Sequence, residues 1–190
     1  MIINHKQCCD PVLSILICHL PDRVSLLNLL DELKKQTETK DNVEILVCDD
    51  PRGSITIGGK RNLLLNAAKG TYAAFIDDDD MVSPNYIQKV LNASRDGKDC
   101  IGIVGIIKRK NWPDWAFRHS ITVGRWCKDK SALIYFRTPN HLNPVKLEIA
   151  KKVMFKEIDH GEDKDYSERL RPLLKNETFI EHPIYFYLKV

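Results

Sequence analysis

The chain has 190 residues, 43% of them apolar and 29% charged, with a formal net charge of +3. That is enough for one domain with a sizeable core, and it excludes a disordered chain. The charge is too small to mark a nucleic-acid partner, and the first apolar stretch, residues 12–20, is about half the length of a bilayer span.

The N-terminal segment MIINHKQCCD lacks the basic-then-apolar build of a secretory signal and reads as a mobile arm. Cys8 and Cys9 beside His5 could bind a metal, but the arm is the simpler reading. Cys18 and Cys48 lie in apolar runs, where cysteine behaves as a small hydrophobe; Cys100 and Cys127 complete the set, with no CxxC pair. A reduced, cytoplasmic setting, or the cytoplasmic face of a membrane, is expected. The Asn-x-Ser/Thr sites at Asn92 and Asn176 carry little weight without an export signal.

In chain order, VLSILIC (12–18) is a continuous apolar run, as expected for a buried parallel strand. A helix follows, with Leu26, Leu29, Leu30 and Leu33 on one face. VEILVCDD (43–50) is a second buried strand, and GKRNLLLNAAKG reads as a helix stopping at Gly70. TYAAFI (71–76) is the third strand. Ser83 as N-cap and Pro84 in the first turn predict the next helix. CIGIVGIIKR (100–109) is the fourth strand.

Beyond residue 108 the periodicity weakens. SITVG (120–124) and ALIYFR (132–137) look like short strands, NPVKLEIAKKVMF (143–155) and DYSERLRPLL (165–174) like helices, and ETFIEHPIYFYLKV (177–190) like a closing strand. Strand–helix alternation implies one α/β domain over 1–190, with a mixed, mostly parallel central sheet and helices on both faces.

Ligands of such sheets bind beyond the carboxyl ends of the strands. Polar residues collect there: His19, Asp22 and Arg23 after the first strand, Asp49 and Asp50 after the second, Asp77, Asp78, Asp79 and Asp80 after the third. Carboxylates held this way can coordinate Mg²⁺ or Mn²⁺, act as an acid–base pair, or form a solvated loop. A cation would relieve their repulsion and could bridge to a leaving diphosphate. Gly53, Gly58, Gly59 and Lys60 approach a phosphate-binding loop but miss its spacing, and Arg61 stands where a metal-binding hydroxyl belongs. Arg137 or Lys146 could offset diphosphate charge. Trp112, Trp115, Phe117, Arg118 and His119 could line a sugar pocket, or one tryptophan is core and the other covers the sheet edge.

The ordered segments LSILICHLPDR, VEILVCDD, GGKRNLLLNAAKGTYAAFIDDDDMVSPNYIQKVL and GEDKDYSERL resemble the family 2 glycosyltransferases, over about residues 11–107 and 140–171. The resemblance implies the GT-A fold, a Rossmann-like nucleotide-diphospho-sugar transferase fold, with a nucleotide half (about 11–107) and an acceptor and catalytic half (about 108–190). It implies a nucleotide-sugar donor, UDP expected and thymidine or guanosine nucleotides as alternatives, with Mn²⁺ or Mg²⁺. By the same resemblance, Leu20, Pro21, Asp22 and Arg23 lie near the nucleotide, and Asp49 or Asp50 bonds uracil or ribose. Asp77 and Asp78 lie near the ribose or a metal-bound water. Asp79 coordinates the metal with Asp77, and Asp80 assists or caps the next helix; the four aspartates leave the register open by one position. Arg61 faces the nucleotide, and Lys60 either reaches the diphosphate or is a solvated helix start. His141 is a candidate third metal ligand.

Read alone, Glu162, Asp163 and Asp165 are N-terminal helix charges favoured by the macrodipole. With the resemblance, Asp163 matches the catalytic base, Glu162 its neighbour, and Asp165 comes next. The implied reaction moves a sugar with inversion to a hydroxyl of a glycan, a lipid-linked sugar, a protein or a small molecule. The short chain leaves an acceptor half that is minimal or completed by a partner chain or a homo-oligomer. The competing reading is an inactive nucleotide-sugar-binding or scaffold module of the same fold. Sugar nucleotidyltransferases share the sheet type, but their glycine-rich signature is absent from HLPDR.

Overall fold

Three strands with no solvent-facing side form the nucleus of the fold: β2 (Leu13–Cys18), β3 (Val43–Cys48) and β4 (Tyr72–Phe75), every residue of which is buried. The computed structural model describes residues 1–20, 23–51 and 53–189; Pro21 and Asp22, two of the proposed nucleotide contacts, lie outside them. The nucleus is parallel, with Leu13 opposite both Val43 and Tyr72. Side chains alternate across it. Leu13, Ile15 and Ile17 pack with α1 (Ser25–Thr37) and α3 (Tyr86–Ser94). Leu16 and Cys18 pack with α2 (Ile57–Ala67), α4 (Leu147–Val153) and α5 (Glu162–Leu170). Two apolar faces account for the unbroken apolar runs of the sequence.

The sheet runs β1 (Ile2–Lys6), β3, β2, β4, β10 (Val145–Lys146), β6 (Cys100–Arg109), β7 (Trp115–His119), β9 (Ile134–Arg137), β8 (Cys127–Asp129). The closing strand, β11 (Glu177–Lys189), runs parallel to β6 with register shifts around Pro183, and pairs antiparallel with the short β5 (Met81–Val82). The long strands β2, β3, β4, β6 and β11 share one direction, while β1, β10 and β7 run against it.

Several expectations change. The N-terminal arm is a strand: β1 pairs antiparallel with β3, because β3 otherwise presents an open edge. Cys8 donates from its thiol to the Asp41 carbonyl, and Cys9 is exposed. SITVG is a turn; the strands here are Trp115–His119 and Cys127–Asp129. Val145–Lys146 leaves the expected helix and fills the gap between β4 and β6. α3 begins at Tyr86 behind Asn85, since the Ser83 hydroxyl turns to Asn85 instead of capping. α2 ends at Ala67, before Gly70, and α5 begins at Glu162, earlier than the pattern suggested. Among the described residues no helix is long and apolar enough to cross a membrane.

Candidate active site

The four aspartates follow β4 in a tight turn, with the Asp80 N–H bonded to the Asp77 carbonyl. They point to four different environments. Asp78 is buried and accepts from the Leu20 N–H (2.8 Å), Arg23 (2.8 Å) and His19 Nδ1 (3.0 Å), so it ties the loop after β2 to the loop after β4. Asp79 is 40% exposed and pairs with the same Arg23 nitrogen at 2.8 Å. Asp80 is buried and faces the other way. It accepts from the Tyr185 hydroxyl (2.7 Å) and the Leu188 N–H (2.8 Å) of β11, so it neither caps α3 nor joins the rim. Burial, helped by the charge of Asp77, pushes its carboxyl up to about 8.

Asp77 opens into a cleft of about 400 Å³. One Oδ faces Arg61 Nη2 at 3.2 Å, the other His141 Nε2 at 3.4 Å. Burial alone would raise its carboxyl; His141, Arg61 and Arg23 outweigh burial and hold it well below the usual carboxylate range. Arg61 is buried over the rings of Phe75 and Phe155, and its Nη1 meets Glu162 at 2.9 Å. A single guanidinium therefore joins the strand-end aspartate to the start of α5. Asp163, the next residue, lines the cleft and accepts from the Lys164 N–H.

Helix α2 carries Arg61 into place because its N-terminus docks on the segment before α5. The Gly58 N–H reaches the Ile158 carbonyl, and the Ile57 N–H reaches Asp159. A β-carbon at Gly58 would overlap the Lys156 carbonyl, which explains the glycine without a phosphate. The far wall of the cleft comes from the second half: Arg109, Phe117, His119, Trp126, Tyr135, Arg137, Asn140, Tyr187 and Lys189.

The model of glycosyl transferase family 2 matches residues 51–154, more than half of the chain. The chain belongs to that family. A Bacillus subtilis protein named as a glycosyltransferase, EpsH, is 22% identical over 93% of this chain. The structure of S. aureus TarS 1-349 superposes with a TM-score of 0.67 at 15% identity over 93% of the chain, and its complex with UDP-GlcNAc with a TM-score of 0.62 at 14% identity over 94%. The fold is thus the GT-A α/β fold. This family 2 chain spans 60% of the length of EpsH and 60% or less of those two TarS chains.

Within the family 2 domain, the expected residues separate. Asp77, Arg61, His141, Glu162 and Asp163 share the cleft. Asp50 is buried and accepts from the Ile55 N–H and Ser54, holding the loop after β3; Asp49 is bound through its backbone to Met1. Lys60 is 1% exposed, not a solvated helix start. Its ammonium bonds the His19 carbonyl at 3.0 Å and lies 3.7 Å from Asp50. Asp165 is absent from the cleft lining: Lys156 and Arg169 hold it and, against its desolvation, keep its carboxyl below the usual range. Lys146 faces Asp99 at 3.6 Å, away from the cleft.

The residues expected to line an aromatic pocket divide. Phe117 and His119 line the cleft, whereas Trp112 is exposed, Trp115 packs on Tyr135, and Arg118 pairs with Glu181. Trp126, Tyr135 and Tyr187 were missed. The alternation along residues 134–137 and 184–189 was the available signal, since alternate residues of a strand share a face.

Among the described residues no group of three or more His, Cys, Asp and Glu side chains converges as a ready-made metal cluster. Two donors do converge on the cleft, Asp77 and His141, an oxygen and a nitrogen 3.4 Å apart. Mn²⁺ and Mg²⁺ commonly take few protein ligands and complete their shell with water and phosphate oxygens, so this pair fits.

Proposed function

We propose that the chain transfers a sugar from a UDP-sugar to an acceptor hydroxyl, with inversion at the anomeric carbon. The observation that carries this reading is the Asp77–Arg61–Glu162 bridge, which brings the acidic strand end and the first turn of α5 to one cleft, with Asp163 on its wall. Family membership supports glycosyl transfer, and the fold neighbour solved with UDP-GlcNAc supports a uridine donor. Asp163 accepts the proton of the acceptor hydroxyl while that oxygen bonds to the anomeric carbon and the bond to the diphosphate breaks, releasing UDP. Asp163 suits this role because Arg61 pairs with Glu162, and among the described residues Asp163 has no ion-pair partner within 4.0 Å.

Asp77 and His141 would hold Mn²⁺ or Mg²⁺, joined by Asp79 once it exchanges its Arg23 partner. When bound, the ion neutralises charge on the departing diphosphate. Lys60 and Asp78 act indirectly, by fixing the loop after β2 around His19 and Leu20.

Calorimetric titration of UDP and GDP, with Mn²⁺ and then with EDTA, tests the donor side. UDP binding that disappears with EDTA is expected. Equal binding of GDP overturns the uridine assignment. Tight UDP binding with no turnover of any UDP-sugar would favour the inactive binding module.

A further inference from the structure

The two walls of the cleft differ in charge balance. On the acidic wall Asp77 and Glu162 are both paired with Arg61. On the opposite wall stand Arg109, Arg137 and Lys189, and among the described residues none of the three has a carboxylate within ion-pairing distance, 4.0 Å. The Arg137 guanidinium carbon lies 4.6 Å from the Trp126 ring centroid and 5.7 Å from that of Tyr135. Arg109 lies 5.9 Å from the Trp115 ring and 3.4 Å from the Tyr135 hydroxyl, and its Nε is buried without a partner. Lys189 Nζ sits 5.4 Å over Tyr187 at the mouth.

A part-buried cation without a counter-ion is costly, and fixing it between aromatic rings lowers that cost only partly. The edge of a guanidinium takes a planar or tetrahedral oxyanion in a two-point bond. Arg137 and Asp163 line the same cleft, and burial depresses the Arg137 guanidinium. The two arginines sit on β9 and β6, whereas a donor diphosphate belongs at Asp77 and His141, beyond β4.

From this we infer that the acceptor is anionic: it carries a phosphate or carboxylate group that Arg137 and Arg109 grip, which sets its hydroxyl against Asp163. The inference rests on the glycosyl-transfer reading for the word acceptor, but the oxyanion site stands on the cations themselves.

The test titrates glucose 6-phosphate, glucuronic acid and uncharged methyl glucoside, each with and without UDP and Mn²⁺. The proteins are the wild type, the Arg109→Gln/Arg137→Gln double variant and Arg137→Lys. A charged sugar is expected to bind the wild type at least about tenfold tighter than methyl glucoside. The double variant should lose that preference while holding UDP within about twofold of the wild type, and Arg137→Lys should keep only part of it. The tighter of the two charged sugars identifies phosphate or carboxylate. Absence of any preference for the charged sugars overturns the inference, as does a double variant that loses UDP and keeps the charged sugar, since the arginines would then serve the diphosphate. If the wild type fails to bind UDP, the donor reading falls, and the titrations without UDP still decide the oxyanion site.

Discussion

The acidic rim and the basic wall face each other across one cleft, yet the fold treats their charges in opposite ways. Each of the four adjacent aspartate side chains after β4 has an internal partner. Asp77 has Arg61 and His141, Asp78 has Arg23 and a backbone N–H, Asp79 has Arg23, and Asp80 has Tyr185. Around β6, β9 and β11 the cations rest near aromatic rings and, among the described residues, have no carboxylate within 4.0 Å. The neutralised half is built to be stable before any ligand arrives, whereas the half with unmatched charge is completed by what binds there. Four adjacent aspartates are tolerated because their side chains diverge and each finds a donor, Asp78 and Asp79 sharing Arg23.

The largest change expected from breaking this contrast comes from Asp163→Asn. Transfer should fall about 100- to 10,000-fold, as for loss of a general base, with UDP affinity unchanged in calorimetry. Retained transfer would move the base role elsewhere. Asp77→Asn removes the partner of both Arg61 and His141, and should weaken UDP binding in Mn²⁺ by about tenfold or more. Equal affinity would place the ion outside this pair. Asp79→Ala should reduce Mn²⁺-dependent UDP affinity about tenfold with little effect on folding, because its pair with Arg23 is part-exposed. Unchanged affinity would leave Asp79 as the partner of Arg23 alone.

Asp78→Ala is the structural counterpart. It strips a buried acceptor from His19, the Leu20 N–H and Arg23, and should cost about 3 kcal/mol in denaturant unfolding. A loss below about 1 kcal/mol would show that the loop holds without it.

The smallest effect is in pH. His119 is fully buried against Phe117 and Asn143, and burial, then the charges of Arg137 and His141, lowers its pKa well below 6.5. Above about pH 6.5 both folded and unfolded chains leave it neutral. Below that the unfolded chain takes a proton that the folded one refuses, so His119 contributes a stability loss of about 1.4 kcal/mol per further pH unit. Urea titrations between pH 7 and 5 should show a shallower slope for His119→Gln than for the parent. Identical slopes would mean that the imidazole is protonated in place.

Much of the nucleotide half was legible because its signals are local. VLSILIC and VEILVC announce strands buried on both faces, and a carboxylate run at a strand end is visible without partners. The helix at residue 162 was legible in kind but not in extent, since Gly161 at φ 83° starts it earlier than periodicity suggests. The second half was harder. β10 is two residues long and exists only because β4 and β6 leave a gap between them. Trp126 is separated in sequence from every other cleft residue, and no local pattern marks it.

The sequence by itself determined the main strands and helices of residues 12–109, the two-faced core and the places where carboxylates gather. These follow from side-chain period and backbone preference, which act over a few residues. Only the tertiary structure decided which aspartate faces the cleft, that Arg61 bridges Asp77 to Glu162, that Lys60 is buried, and that Arg109, Arg137 and Lys189 pair with no carboxylate among the described residues. Charge pairing and desolvation depend on atoms within a few ångströms, and those atoms come from residues 16 to more than 100 positions apart.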